Sequence, residues 1–131
     1  MVSFKTAIKN FYLKAFNFKN RATRAEFWWF QLFYYLMTVL LIYIGTINDV
    51  LMGLYIAFVL INVIPMLSLQ VRRLHDIGHS AWSLLLCCIP YVGGLYALIL
   101  FALPGEKHAN KYGEYLYGIE AEVVDAENVN L

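Results

Sequence analysis

The sequence has little charge, and almost none of it falls in the middle of the chain. Only 15% of the 131 residues are Asp, Glu, Lys or Arg, against about 25% in soluble proteins. From Phe27 to Leu103 the charged residues are Asp49 and those of the stretch 70–80. Hydrophobic residues make up 61% of the chain, more than the interior of so small a soluble domain accommodates. The composition therefore predicts an integral membrane protein.

Other absences narrow the classes of function. The net charge of +1 gives no signal for a nucleic-acid partner. The only two cysteines, Cys87 and Cys88, are adjacent within an apolar run, so the chain has no disulfide framework. It contains no nucleophile motif, no glycine-rich phosphate loop and no HExxH metal motif. We therefore expect a protein without enzymatic activity, metal or cofactor.

Three apolar runs have the length of membrane spans. They cover residues 27–44, 50–71 and 81–103. As helices they would measure about 27, 33 and 34 Å, close to the ~30 Å hydrocarbon thickness of a bilayer. Pro90 and Gly94 interrupt the third run, which we interpret as a kinked span, with a re-entrant hairpin as the alternative. The prediction is an all-α polytopic membrane protein with three transmembrane helices.

An amphipathic helix is predicted over residues 3–19, before the first span. Apolar residues recur there at three- and four-residue spacing with lysines between them. Such a helix suits an anionic membrane surface, and packing on the protein's own body is the alternative. Thr23 and Glu26 form a capping-box pattern, which predicts that the first span begins near Thr23. Residues 1–113 would form one membrane domain, followed by a disordered acidic tail over 114–131.

The distribution of Lys and Arg predicts the orientation. Six of the ten precede the first span, two follow the second, and the tail carries the other two. With three spans, the positive-inside rule places the N-terminus in the cytoplasm and the C-terminus outside. A re-entrant third run would place all ten basic residues inside.

The polar groups of the chain are concentrated at the predicted cytoplasmic ends of the first two spans. Four arginines and two carboxylates are expected to meet there and form ion pairs. Guanidinium groups bind carboxylates and phosphates bidentately, so this face would bind anionic lipid headgroups or an acidic segment of a partner. We therefore predict an envelope or scaffold component. The candidate binding residues are Arg21, Arg24, Glu26, Arg72, Arg73, His75 and Asp76.

Two other functions stay open. Asn62 is the main polar side chain at depth, and its predicted role is an interhelical hydrogen bond. A substrate contact by Asn62 would instead indicate a subunit of an oligomeric transporter or channel. His75 with Asp76 would be the acid–base pair of a lipid-modifying enzyme. His75 and His79 are spaced to share a helical face, but the set lacks an obvious fourth ligand for a metal.

Small residues spaced four apart predict close helix packing. The pairs are Gly53 with Ala57 in the second run and Gly93 with Ala97 in the third. Such pairs let two membrane helices approach closely, so we expect contact between these helices. The expected partner is a second copy of this chain, in a homo-oligomer, or another membrane protein.

Three blocks of the chain resemble the family known as domain of unknown function 805. The resemblance covers about residues 16–113. It implies a small polytopic protein of the bacterial inner membrane, and it implies no activity, since none is established for the family. Asn20 and Ala81 stand where the family usually has glycine. The blocks are Arg21, Arg24 and Glu26 with Phe27–Trp28, then Arg72–Trp82, then Pro104–Gly105 with Asn110–Gly113.

Overall fold

The computed structural model describes residues 2–114, and the secondary structure of that part is helical apart from one isolated bridge, Asn110 to Gly113. The all-α prediction is confirmed for these residues. The predicted disorder of the tail, from residue 115 onward, lies outside them. In chain order the helices are α1 Phe4–Leu13, α2 Arg24–Gly45, α3 Asp49–Asp76, α4 Ser83–Cys87 and α5 Val92–Ala102.

By length and composition, α2 and α3 are the two described helices that could cross a membrane. Their 22 and 28 residues correspond to about 33 and 42 Å. In each helix only 11% of the most apolar 18-residue window is buried, so the apolar surface faces outward rather than into a core. They are antiparallel, because Glu26 near the start of α2 contacts Arg72 near the end of α3. Both helices were predicted from the apolar runs.

α2 begins where the capping pattern predicted. The Thr23 hydroxyl accepts a hydrogen bond of 3.1 Å from the backbone N–H of Glu26, and the helix starts at Arg24. The carboxylate of Glu26 does not complete the capping box, because its Oε1 accepts from Arg72 Nη1 instead. One half of the box is thus formed, and the other is replaced by a contact between helices.

The kinked span predicted over 81–103 is not confirmed as a third spanning helix. The run is divided into α4 and α5, and Pro90 and Tyr91 lie between them. Proline lacks the N–H that a helix needs, and Tyr91 has a φ of 65°, in the left-handed region. α5 has 11 residues, about 16 Å, which is roughly half the hydrocarbon thickness.

The segment between residues 78 and 106 leaves and returns at the same end of α3. The backbone N–H of Glu106 donates to the Asp76 carbonyl at 2.8 Å. Gly93 allows the turn before α5, since a side chain there would collide with the backbone oxygen of Cys87. The backbone of this segment therefore follows the path of a hairpin.

α3 ends at Asp76 in a Schellman motif centred on Gly78. The N–H of His79 donates to the Leu74 carbonyl at 2.9 Å, and that of Gly78 to the His75 carbonyl at 3.1 Å. Gly78 has a φ of 78°, which glycine adopts readily. Because the helix ends between them, His75 and His79 do not form the helical pair considered for a metal.

α1 packs against α2 and α3, which is the alternative predicted for the N-terminal helix. The rings of Phe11 and Phe30 are stacked with centroids 3.3 Å apart. The Tyr12 hydroxyl donates to Asn62 Oδ1 at 3.0 Å, which confirms an interhelical hydrogen bond for Asn62. Burial raises the pKa of Tyr12, and the hydrogen bond to Asn62 opposes this, so the hydroxyl stays a donor at neutral pH. The helix covers Phe4–Leu13 of the predicted range 3–19.

The small residues of the second run, Gly53 and Ala57, do not pack closely within the single chain. Gly53 and Ala57 are exposed, and an added Cβ at Gly53 would meet nothing within 4 Å. Gly93 approaches the turn after α4, and Ala97 packs on the buried core.

Candidate functional site

Five charged side chains are buried together where α2 begins and α3 ends, a region called the ionic end below. Asp76 accepts from Arg21 at 2.9 Å and from Arg73 at 2.5 Å, and Glu26 accepts from Arg72 at 2.8 Å. All five side chains have an exposure of 0%. The predicted ion pairing is confirmed, and the guanidinium groups of Arg21 and Arg73 share one carboxylate.

Arg21 ties the segment after α5 to the ionic end. Its Nη1 donates to the carbonyls of His108 at 2.9 Å and Gly113 at 3.4 Å. Its Nη2 donates to the carbonyls of Glu106 at 2.7 Å and Asp76 at 3.3 Å. Since the protein itself engages these N–H groups and the side chain is buried, Arg21 holds the fold rather than presenting charge to an external phosphate.

Arg73 binds the end of α5 in the same way. Its Nε donates to the Phe101 carbonyl at 3.2 Å, and its Nη2 donates to the Leu103 carbonyl. The last carbonyls of a helix lack partners within the helix and carry partial negative charge. A buried cation therefore satisfies the C-terminal end of α5.

His75 is held between the segments before α2 and after α5. Its Nδ1 lies 3.2 Å from the carbonyls of both Lys19 and Asn20, so this nitrogen carries the proton and donates. Its ring stacks on Tyr112 with centroids 3.8 Å apart, and Asn110 Nδ2 donates to its carbonyl at 2.9 Å. The imidazole is therefore fixed by structural contacts on several sides.

The residues that sequence reasoning missed lie in the segment 106–113. Asn110 Nδ2 also donates to Glu106 Oε2 at 2.6 Å, and Asn110 Oδ1 accepts from the N–H of Tyr112 at 2.9 Å. The signal for this segment was present in the third block of the family resemblance. All three blocks meet at the ionic end, because Arg21 belongs to the first, Asp76 to the second and Asn110 to the third.

The pair of Arg72 and Glu26 is incompletely satisfied. Arg72 Nε and Nη2 and Glu26 Oε2 are buried and have no hydrogen-bond partner within the described part of the chain. Buried polar atoms of this kind carry a desolvation cost that their one ion pair has to offset. This pair is therefore the weakest part of the network.

Arg24 is exposed, in contrast to the five buried side chains of the ionic end. It borders a groove of about 570 Å³, called the Arg24 groove below. Trp28 and Trp29 are 37% and 38% exposed there, and tryptophan is enriched where a membrane meets water. Arg24 is on the outer surface, whereas the other three arginines are buried. That all four meet on one face therefore stays a prediction. The groove is lined by Arg24, Ala25, Trp28, Trp29, Leu32 and Ala102.

A second cleft, of about 410 Å³, lies between α2, α3 and α5. Gln31 of α2, Gln70 of α3 and Gly94 of α5 contribute to its lining, and it is called the amide cleft below. Phe27 and Phe101 form its walls on the side of the ionic end. It therefore adjoins the buried network without being part of it.

Two long helices with outward apolar surfaces, joined at one end to a buried ionic network, define a helical membrane protein. The chain belongs to the family described as "Protein of unknown function (DUF805)", whose model matches residues 15–114. The resemblance predicted from the three blocks is thus confirmed.

Two similar proteins are inner membrane proteins of Escherichia coli (strain K12). Inner membrane protein YhaI is 36% identical over 98 residues, which cover 73% of this chain and 82% of that protein. Inner membrane protein YhaH is 29% identical over 105 residues, which cover 73% and 84%. No solved structure matches the chain significantly.

Proposed function

We propose that this chain is a non-enzymatic component of the bacterial inner membrane, an envelope scaffold that binds anionic lipid headgroups at its ionic end through the Arg24 groove. The carrying observation is the position of Arg24, an exposed residue, in one groove with Trp28 and Trp29. Arg21, Arg72 and Arg73 are buried in contacts within the protein, so they support the groove rather than bind the headgroup. Guanidinium pairs well with phosphate, and tryptophan is suited to the headgroup level.

The proposed location is the inner membrane, with the ionic end in the cytoplasm. Both named relatives are inner membrane proteins. The connection between α2 and α3 carries no Lys or Arg, whereas all ten basic residues belong to the other segments. With two spans and a re-entrant hairpin, the positive-inside rule places the N-terminus and residue 114 on the cytoplasmic side. This orientation replaces the external C-terminus expected for three spans.

The segment after α1 supports contact with the membrane surface. Leu13 and Phe16 are 71% and 83% exposed, and they border a shallow pocket together with Lys19. Apolar side chains beside lysines suit the boundary between acyl chains and anionic headgroups. α1 would then pack on the helices with one side and face the interface with the other.

Quenching of tryptophan fluorescence by brominated lipids tests the proposal. The protein, with Trp82→Phe, is reconstituted in phosphatidylcholine vesicles containing increasing brominated phosphatidylglycerol. In the parent protein we expect stronger quenching by brominated phosphatidylglycerol than by brominated phosphatidylcholine. In Arg24→Gln this preference for phosphatidylglycerol should be about fivefold weaker, since one basic residue at the surface contributes ~1 kcal/mol. Lys5→Gln removes one exposed charge outside the groove and serves as the matched control. Equal quenching by both lipids in the parent protein would overturn the proposal.

The oligomeric transporter or channel is the second candidate, and one observation favours it. α5 is a half-length helix whose N-terminus lies at the far end of the re-entrant segment, an arrangement that membrane transporters use for polar ligands. Mass measurement in nanodiscs and conductance across planar bilayers test this candidate. A monomer without conductance would eliminate it.

The third candidate, a lipid-modifying enzyme, has less support from the geometry. The carboxylate of Asp76 is buried between Arg21 and Arg73, and the ring of His75 contacts Tyr112. Neighbouring residues on a helix do not face each other, so these two side chains serve different contacts. The arrangement gives no acid–base pair open to a substrate.

A further inference from the structure

The Arg24 groove follows one face of α2 from the ionic end toward the middle of the membrane. Arg24, Trp28 and Leu32 all line it, and residues four apart lie on the same face of a helix. The eight residues from Arg24 to Leu32 correspond to about 12 Å along the helix axis. The groove therefore has a cation at one end and an apolar wall beyond it. A phosphate with an acyl chain attached matches this order, whereas a free phosphate would use only the Arg24 end.

The opposite wall of the groove belongs to the hairpin formed by α4 and α5. Ala102, the last residue of α5, lines the groove together with the residues of α2. Arg73 donates hydrogen bonds to the carbonyls of Phe101 and Leu103, one on each side of Ala102. The groove in its described form therefore requires that the end of the hairpin is docked on the long helices.

Beyond this end, the hairpin packs incompletely on α2. No residue of α4 is buried, and the buried residues of α5 are Gly93, Leu100 and Phe101. Phe101 contacts Phe27 of α2, with ring centroids 4.6 Å apart. Farther along α5 the amide cleft, of about 410 Å³, lies between the two helices, and Trp28 lines both this cleft and the Arg24 groove. Protein contacts therefore hold the hairpin to α2 mainly near the ionic end.

We propose that an anionic phospholipid in the Arg24 groove is a structural lipid that holds the α4–α5 hairpin against α2. Its phosphate pairs with Arg24, and one acyl chain lies along Trp28 and Leu32 beside Ala102. This inference rests on the proposed function and adds the acyl chain and its consequence for the hairpin. An acyl chain that contacts both walls of the groove adds dispersion contacts to each of them. A ligand that binds better when the hairpin is docked shifts the equilibrium toward docking.

A distance between two spin labels measures the docking of the hairpin. The full chain, with Cys87 and Cys88 replaced by alanine, carries labels at Tyr91→Cys, at the tip of the hairpin, and at Val50→Cys, near the start of α3; both positions are exposed. Double electron–electron resonance in phosphatidylcholine nanodiscs should give a broad distribution of distances that narrows as phosphatidylglycerol is added. Glycerol phosphate, which has the phosphate without acyl chains, should not narrow it.

Two pairs of variants separate the phosphate from the acyl chain. Arg24→Gln should need about fivefold more phosphatidylglycerol for the same narrowing, whereas Lys5→Gln, outside the groove, should behave as the parent. Leu32 and Leu36 are both exposed on α2, but of the two only Leu32 lines the groove. Leu32→Asn should therefore weaken the narrowing, while Leu36→Asn introduces the same polar group outside the groove and should leave it unchanged.

Quenching of tryptophan fluorescence by brominated lipids, in the same nanodiscs with Trp82→Phe, reports lipid binding separately from the hairpin. A preference for phosphatidylglycerol without any narrowing would overturn this inference and leave the proposed function standing. Absence of that preference would overturn both. Narrowing by glycerol phosphate, or equal effects of Leu32→Asn and Leu36→Asn, would show that the acyl chain holds nothing and would also overturn the inference.

Discussion

At the residue scale, the ionic end places three arginines against two carboxylates without solvent. Backbone carbonyls provide the remaining acceptors, as at Leu103 for Arg73 and at Glu106 for Arg21. Arginine is suited to this role because its planar group offers five N–H donors in fixed directions. Lysine has three donors on a single nitrogen and would reach fewer of these separated acceptors. Three of the four arginines predicted to bind ligands, Arg21, Arg72 and Arg73, therefore hold chain segments together.

The pair of Glu26 and Arg72 gives a prediction at this scale, because both partners keep unsatisfied atoms. Arg72→Met should destabilise the protein by about 3–5 kcal/mol, since it leaves Glu26 charged and unpaired in the interior. The double variant with Glu26→Leu should cost less than either single change. The free energy of unfolding, from titration with sodium dodecyl sulfate in micelles, measures each effect.

Arg24→Met is the control for the Arg72→Met change. It makes the same substitution at an exposed position of the same end, and should cost less stability than Arg72→Met, because solvent screens an exposed charge. Additive costs of the Glu26 and Arg72 changes would show that the two side chains are not coupled.

At the element scale, the break between α4 and α5 decides whether the third apolar run spans or returns. Tyr91 has a positive φ there, and Gly93 passes close to the backbone of Cys87. The hairpin is therefore held by backbone geometry as well as by the contacts of Arg73 at its end.

Alanine at the two neighbouring glycines tests that turn. Gly93→Ala brings a Cβ against the Cys87 carbonyl and should lower the melting temperature of the purified protein, because the turn must open. Gly94→Ala adds its Cβ to open space and should be neutral or stabilising, by up to ~1 kcal/mol, because alanine favours a helix. Equal effects at both positions would indicate that the hairpin is loosely packed.

The long helices could be predicted from sequence because their signals are local. Each signal lies within one short segment of the sequence. One is an apolar run long enough to span, and the other is the cap at Thr23. The return of the third run was one of two alternatives, and the sequence could not decide between them although Pro90 was visible. It depends on contacts such as that of Glu106 with Asp76, which join residues far apart in the chain. For the same reason, the pairing of Arg21 with Asp76 was expected, but its carbonyl partners after α5 were not.

At the scale of the whole molecule, the ionic end joins all chain segments that would lie on one side of a membrane. The N-terminal segment contributes Arg21, α3 contributes Asp76, and the segment after α5 contributes Glu106 and Asn110. The proposed topology places these segments in one aqueous compartment, where the network can form. We therefore propose that the network, and not hydrophobicity alone, determines the topology.

Labelling of single cysteines with a membrane-impermeant maleimide tests this topology in intact cells and in inverted membrane vesicles. Cys87 and Cys88 are first replaced by alanine, and one cysteine is then placed at Ile47, Ser80 or Glu114. We expect labelling of Ile47→Cys from the periplasmic side, and of Ser80→Cys and Glu114→Cys from the cytoplasmic side. Labelling of Glu114→Cys from the periplasm would require a third span. The contact of Glu106 with Asp76 could not then form, because their segments would lie in different compartments.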